Sequence, residues 1–361
     1  MPRYWDLVPG VGAVPEWAAD DAARTRAIAR LQALRRGLRE EPGAPPPRTP
    51  GTLVLGSWNL REFDSPKGGA RLEESYAYIA EIVSRFDLVA IQEVREDLRA
   101  LRRLMARLSD QWDYIVSDVT AGTAGNSERL AFLYDRRKVR FNGLAGELVL
   151  PPVRVRGETV PVTQIARTPL MAGFQVGWTS FVLTTVHILW GDDKAEPPQR
   201  VEEIRQITTF LRRRTEPASS RPSDSADAAP PIDNFILLGD FNIFDEQSKT
   251  FRVLTEDGGF TVPDGIRALK GSNALQNRKY DQIAYRAQPR RFAATGAGGT
   301  FDYYRYVFTD ADADAYRAVQ QGIGSFREWR TYQMSDHLPL WAEFRVDFSD
   351  DYLAEAAAAS G

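Results

Sequence analysis

Short apolar runs, rich in branched and aromatic residues and closed by polar or turn-forming ones, recur from Thr52 to Val346. Runs of that kind predict strands over Leu53–Trp58, Leu88–Gln92, Tyr114–Ser117, Leu130–Tyr134, Ser180–His187, Phe235–Leu238, Gln282–Tyr285 and Leu340–Val346. Between them, apolar residues at helical spacing predict helices over Leu72–Phe86, Leu98–Leu108 and Val201–Arg213, with another over 311–321. Strands alternating with helices specify one α/β domain, placed here at residues 51–348.

Residues 17–39 carry Ala23, Ala27, Leu31, Leu34 and Leu38 at helical spacing, with arginines between them. A surface helix packed on the main domain is expected; the alternative is an arginine-bearing arm that touches phosphates. With the proline-rich linker Glu41 to Pro50, residues 1–50 make a helical extension. Thr215–Pro231, rich in Ser, Ala, Asp and Pro, is expected to be a surface loop. Residues 349–361, with the run LAEAAAAS, are expected to fray.

Composition narrows the chemistry. A length of 361 residues, 43% hydrophobic, suits a large core. The charges nearly cancel, at a formal −3, which excludes a global basic field for nucleic acid or anionic membrane. Polyanions must be held by local arginines or by a bound cation. The absence of cysteine excludes disulfides, thiolate metal sites and cysteine nucleophiles. It fits a reducing cytoplasm, and MPRYWDLVPG lacks the pattern of a signal peptide, so a cytoplasmic location is expected. No apolar run reaches the roughly 18 residues of a membrane span.

Polar residues stand where the apolar runs end. WNLREF places Asn59 after a strand; LVAIQEV does the same for Gln92 and Glu93; TTVHIL does so for His187. ILLGDFN adds Asp240 and Asn242, YDQIAY adds Asp281, and MSDHLP adds Asp336 and His337. Strand ends can converge on one rim. Glu93, Asp240, Asp281 and Asp336 would then crowd one cleft, and crowded carboxylates raise each other's pKa or take up a cation. With oxygen ligands and no thiolate, the fitting cation is Mg²⁺, or alternatively Mn²⁺ or Ca²⁺. The chain's two histidines, His187 and His337, can exchange protons near neutral pH. Singly, each motif has an ordinary structural explanation, as a turn, a cap or a hydrogen-bonded core residue. The set and its order point to phosphoester chemistry.

In that order, WNLREF, IQEV, VH, LLGDFN, YDQI and SDH resemble the endonuclease/exonuclease/phosphatase superfamily, and within it deoxyribonuclease I, over roughly Leu53 to Phe344. RFDLVAIQEVRED, GNSERLAFLYDRRKV, ARTPL and FDYY extend the likeness. The resemblance implies a four-layer α/β sandwich, two packed sheets flanked by helices, with its site where strands of both sheets end. It implies that Glu93 binds the metal, helped by Asn59 and Asp336. It implies that His337 pairs with Asp281 and His187 with Glu128, either histidine serving as base with the other as acid. Asp240 would orient or activate the nucleophile, Asn242 would hydrogen-bond the phosphate and Arg167 would contact a phosphate. Arg95 matches an arginine that such nucleases insert into the DNA minor groove. The tyrosine that flanks the groove in those enzymes is replaced by Asn126. Products would carry a 5′-phosphate and a 3′-hydroxyl. The disulfides and signal peptide of the secreted enzymes are missing, so neither secretion nor the same biological role is implied.

The leading expectation is a Mg²⁺-dependent endonuclease acting on duplex or single-stranded DNA with little sequence preference, without an obligate protein partner. The alternatives are a phosphoesterase for a small phosphorylated molecule or lipid headgroup, and a non-catalytic binding domain built on the same fold.

Overall fold

The alternating runs pair into two packed sheets. A computed structural model describes residues 2–8, 20–63, 65–120, 126–192, 194–215, 234–287, 292–320 and 322–359. The first sheet has six strands: β1 (Thr52–Phe63), β2 (Leu88–Arg95), β3 (Trp112–Val116), β4 (Glu128–Asp135), β12 (Ala293–Thr300) and β13 (Leu340–Arg345). Their order is β12-β13-β1-β2-β4-β3. The second sheet has five strands: β5 (Arg140–Glu147), β8 (Leu170–Val176), β9 (Thr179–His187), β10 (Phe235–Asp240) and β11 (Asp281–Arg286). Their order is β11-β10-β9-β8-β5. A separate hairpin joins β6 (Val153–Val155) to β7 (Glu158–Val160).

Period-two alternation sends neighbouring residues of one strand to opposite layers. Leu53, Leu55, Leu88 and Ala90 of the first sheet share a core with Phe174, Leu183, Ile236 and Leu238 of the second. Val54, Trp58, Val89 and Ile91 face the other way. They join a second core with Ile79, Ile82 and Val83 of α2 (Glu73–Val83) and Leu101 and Leu104 of α3 (Arg99–Arg107). Ile204, Ile207 and Leu211 of α4 (Pro198–Thr215) add to the first core. The result is a four-layer α/β sandwich. Among the described residues no helix is long and apolar enough to cross a membrane.

The N-terminal helix, here α1 (Asp21–Glu40), is capped by Asp20, whose carboxylate accepts from the Ala23 backbone N–H at 2.9 Å. Residues 17–19 of the expected helix lie outside the described residues. Ala27, Leu31, Leu34 and Leu38 are buried in the second core, each leucine contributing about 2 kcal/mol. Three arginines of α1 reach residues outside the helix. Arg26 donates to the Tyr316 hydroxyl at 3.0 Å, Arg30 pairs with Asp312 at 2.6 Å, and Arg35 lies 3.6 Å from Glu81.

The linker is fastened to the sheet by Arg48, which donates to the Phe86 carbonyl and to Asp135, both at 3.0 Å. Asp135 also accepts from Arg137 Nη2 at 2.5 Å and from the Arg137 backbone N–H at 3.1 Å. Burial works against its charge, but the two arginines outweigh that, and the carboxyl is lowered from 3.8 to about 2. A depressed folded-state pKa stabilises above the unfolded value and is lost as pH falls through the folded one. Asp135→Asn is therefore expected to cost about 1–2 kcal/mol at pH 7, the half-exposed Arg137 being partly screened by solvent. The gap from the wild type should narrow as pH falls from 4 towards 2. Urea unfolding at pH 7 and pH 3 checks this, and equal stability at pH 7 contradicts it.

Several elements carry little pattern. β5 is exposed over most of its length, and β12 reads AATGAGGT, with little side chain to pack. β8 was hidden by its Ala172–Gly173 centre, and α5 (Phe326–Gln333) by its brevity. The segment expected as a helix over 311–321 is a 3₁₀ helix, Asp310–Val319. The tail expected to fray forms α6 (Ser349–Ala359), alanine-rich and without a buried residue. Of the expected loop Thr215–Pro231, residues 216–231 lie outside the described residues.

Candidate active site

Strand direction brings the polar ends together. β9 and β10 run parallel, so His187 and Asp240 end side by side, and β11 runs back from the same rim with Asp281 opposite Asp240. In the first sheet β1 and β2 are parallel, with Asn59 beside Gln92, and β13 begins at that rim just after His337. LLGDFN needs its glycine: Gly239 has φ +133, and a Cβ there would lie 2.1 Å from the Val186 carbonyl oxygen. Glu93 stands in a register shift between Ile91 and Val94 with φ +62, a left-handed conformation costly for a non-glycine residue.

Each histidine is held at Nδ1 by a buried carboxylate. His187 Nδ1 lies 2.8 Å from Glu128 Oε2, and His337 Nδ1 lies 2.8 Å from Asp281 Oδ2. The far nitrogens converge: Asp240 Oδ2 is 3.6 Å from His187 Nε2 and 3.7 Å from His337 Nε2. Glu128 is completed by Asn126, whose amide donates to Oε1 at 2.7 Å, and by Arg167, with Nε 3.1 Å from Oε2. Asp281 Oδ2 also accepts from the Ser272 hydroxyl at 2.6 Å. Asn59 bridges two carboxylates, donating to Glu93 Oε1 at 2.8 Å and to Asp240 Oδ2 at 3.1 Å.

The electrostatics follow from these contacts. Burial pulls the His187 imidazole down, but Glu128, with its hydrogen bond, and Asp240 raise it above its ordinary value. Burial also opposes His337, yet Asp281 and Asp240 push it well above the usual range. Asp240 itself is desolvated, but the two imidazoles, the Asn242 backbone N–H and Asn59 hold it below the usual carboxylate range. Glu93 goes the other way. Burial pushes it up, Glu128 and Asp336 add to that, and His187 only partly offsets them. A carboxylate in that position is relieved by a cation.

Asn59, Glu93, Glu128, Arg167, His187, Asp240, Asn242, Asp281 and His337 thus form one constellation. Asn59 takes part through its amide nitrogen, while its oxygen accepts from the Arg61 backbone N–H at 3.0 Å. Asn242, with φ +53, donates its side-chain amide to the Ile188 carbonyl at 2.8 Å. The Asp336 side chain is 46% exposed, with Arg61 3.9 Å away, and stands at the edge of the cluster. Arg95 ends β2 opposite Glu128; its carbonyl accepts from the Leu98 backbone N–H at 3.2 Å, and its side chain makes no hydrogen bond or ion pair among the described residues. Gln92 is used elsewhere, tying the sheets together through Thr185 Oγ1 at 2.9 Å. Among the described residues, the histidine and carboxylates that could share a metal ion are Asp240, Asp281 and His337, with ligand atoms within 4.8 Å of one another. That group differs from the expected set of Glu93, Asn59 and Asp336.

Sequence reasoning missed the supports. Ser335 donates to the Asn59 carbonyl at 2.6 Å and accepts from the His337 backbone N–H at 3.0 Å. Trp58 Nε1 and the Tyr303 hydroxyl both hold the His337 carbonyl at 2.9 Å. Buried Arg71 joins the Arg61 carbonyl, at 2.8 Å, to the Met334 carbonyl, at 2.7 Å. FDYY was the visible signal for Tyr303 and SDH for Ser335; Ser272 and Arg71 left none.

Comparisons with known proteins bear on the family and the fold. A family model described as the Endonuclease/Exonuclease/phosphatase family matches residues 56–314. A deoxyribonuclease of Thioalkalivibrio sp. (strain K90mix) is 29% identical over 198 residues, 53% of this chain and 46% of the relative. The match thus spans about half the length of that relative. An endonuclease/exonuclease/phosphatase from Bacteroides vulgatus superposes with a TM-score of 0.52 at 14% identity, covering 83% of this chain and all of the other (100%). A functionally unknown conserved protein from Enterococcus faecalis V583 gives 0.51 at 17% identity, covering 82% and 100%. With the family model spanning most of the sandwich, the chain belongs to the endonuclease/exonuclease/phosphatase family.

Proposed function

We propose that this chain is a divalent-metal-dependent phosphodiesterase that cleaves DNA with little sequence preference. The observation that carries the reading is the convergence of two carboxylate-held imidazoles on one oxygen of Asp240. The deoxyribonuclease relative supports DNA as the substrate.

The residues fit a hard divalent cation. The donors are carboxylates and imidazole, Glu93 is buried and raised, and Asp281 Oδ1 is buried without a hydrogen-bond partner among the described residues. Either Glu93 would hold the ion, with Asn59 and Asp336 beside it, or Asp240 and Asp281, whose ligand atoms lie within 4.8 Å of one another, would hold it. When bound, Mg²⁺ or Mn²⁺ supplies positive charge to the phosphate and to the charge that builds on it during attack.

The chain's own groups supply the proton chemistry. A phosphodiester lies between the two Nε2 atoms. One imidazole accepts the proton of the attacking water at Nε2, and the other donates from Nε2 to the leaving oxygen. Glu128 and Asp281 fix the rings and keep the Nδ1 protons in place. Asp240, between the rings, orients the water. Arg167 Nη1, buried without a hydrogen-bond partner among the described residues, is available to a phosphate oxygen, as is the second N–H of the Asn242 amide. Arg95, at the rim, contacts the neighbouring backbone. Hydrolysis would leave a 5′-phosphate and a 3′-hydroxyl.

Supercoiled plasmid is expected to be nicked in Mg²⁺ or Mn²⁺ and to stay intact in EDTA. Plasmid and single strands left whole in both metals, while a phosphorylated sugar or lipid headgroup is hydrolysed, would move the substrate to that class.

A further inference from the structure

The first sheet is interrupted beside Glu93. Asn59 pairs with Gln92 and Phe63 with Val94, so three residues of β1, Leu60 to Glu62, stand opposite one residue of β2, Glu93. The extra residues form a bulge, a device that re-aims side chains beside active sites. Arg61 and Glu62 pass through it with φ +22 and +43, a conformation costly for residues with a Cβ. Two backbone N–H groups are aimed by it. That of Arg61 donates to Asn59 Oδ1 at 3.0 Å, and that of Glu62 donates to Glu93 Oε2. With the Asn59 amide on Oε1, both carboxylate oxygens of Glu93 are held.

A buried cation holds the bulge in turn. Arg71 is 2% exposed, and its Nη2 donates to the Leu60 carbonyl and, at 2.8 Å, to the Arg61 carbonyl. Its Nη1 donates to the Gln333 carbonyl at 3.1 Å and to the Met334 carbonyl at 2.7 Å, where α5 ends. Carbonyls at a helix C-terminus lack partners within the helix and favour a cation. Ser335 follows directly, and its hydroxyl returns to the Asn59 carbonyl at 2.6 Å. One guanidinium thus clamps the turn that grips Glu93 to the segment that carries His337. Four carbonyls on two segments call for a planar fork of donors, whereas a lysine has three donors on one nitrogen.

We propose that Arg71 is a positioning residue for the metal carboxylate: it keeps the Leu60 to Glu62 bulge in its strained form, and the bulge keeps Glu93 aimed at the divalent ion. This rests on the reading above in which Glu93 holds the ion. Strain at Arg61 and Glu62 persists only while the surroundings over-determine it. Without the clamp the turn relaxes towards negative φ, the Glu62 N–H leaves Glu93, and the carboxylate must be ordered anew whenever an ion binds. Partners of this outer kind set metal affinity without touching the metal.

Calorimetric titration of the metal-free protein with Mn²⁺ tests this. Arg71→Lys is expected to raise the Mn²⁺ Kd about tenfold, with hydrolysis of bis(p-nitrophenyl) phosphate in saturating Mn²⁺ kept within about threefold of wild type. Adding Glu62→Gly should recover most of the lost affinity, because glycine takes a positive φ without strain. Asp135→Asn, which loses stability at the other end of β4 from Glu128, should leave the Kd unchanged. The stoichiometry reads the folded fraction and the Kd reads the site, so partial unfolding is kept apart from positioning. An unchanged Kd in Arg71→Lys, or a raised one that Glu62→Gly leaves as it is, overturns the positioning role while metal-dependent hydrolysis stands. An Arg71→Lys chain that stays unfolded even with Glu62→Gly also overturns it, since Arg71 then holds the fold and not the turn. A wild type that binds no Mn²⁺ overturns the metal site and this proposal with it.

Discussion

His337→Ala is expected to lower kcat for phosphodiester hydrolysis by about a hundred- to ten-thousand-fold, with KM changed only a few-fold. The imidazole is buried, its Nδ1 held by Asp281 at 2.8 Å, so Nε2 is its one free nitrogen and points at Asp240. Removing it deletes a proton carrier without touching the groups offered to the phosphate. His187→Ala should behave alike, since His187 is held to Glu128 by the same contact at the same distance. Rates at saturating substrate, with circular dichroism confirming the fold, check the effect. A loss of less than about tenfold in kcat for either variant would count against a role in proton transfer.

The second large effect is expected at Asp240. Asp240→Asn should lower kcat by about a hundred- to a thousand-fold and at the same time shift the titration of both histidines. The carboxylate lies 3.6 and 3.7 Å from the two Nε2 atoms and favours both imidazolium forms. Both histidines titrate above their ordinary value in the wild type, so losing that charge must move both midpoints down in pH. The chain has only two histidines, so imidazole proton resonances of the metal-free protein follow each one singly. A shift in one alone would assign Asp240 to a single pair.

The rim of the second sheet was legible because polar residues ended apolar runs, and a buried carboxylate at a strand end has few structural uses. His187, Asp240 and Asp281 lie abreast on β9, β10 and β11 for that reason. The partnership of His187 with Glu128 was not legible from spacing; only the family likeness suggested it. Asn126, noted as a departure from the likeness, turns out to hold Glu128. Asp336 shows the limit of motif reading. In SDH the backbone turns its carboxylate towards solvent while its neighbour Ser335 braces Asn59 and His337. Arg71 and Arg200 were invisible because they serve main-chain carbonyls, and a carbonyl leaves no trace in a sequence. β5 and β12 were missed because exposed and glycine-rich strands lack the alternation that marks a half-buried one.

The central claim is that the two histidine–carboxylate pairs work as one hydrolytic unit. The most direct measurement is the rate of bis(p-nitrophenyl) phosphate hydrolysis in saturating Mn²⁺ by wild type, His187→Ala, His337→Ala and the double variant. The account predicts that each single variant loses most of the activity and that the double variant falls no more than about tenfold below the weaker of them. Single variants that keep near wild-type rates, or losses that simply multiply in the double variant, would contradict it.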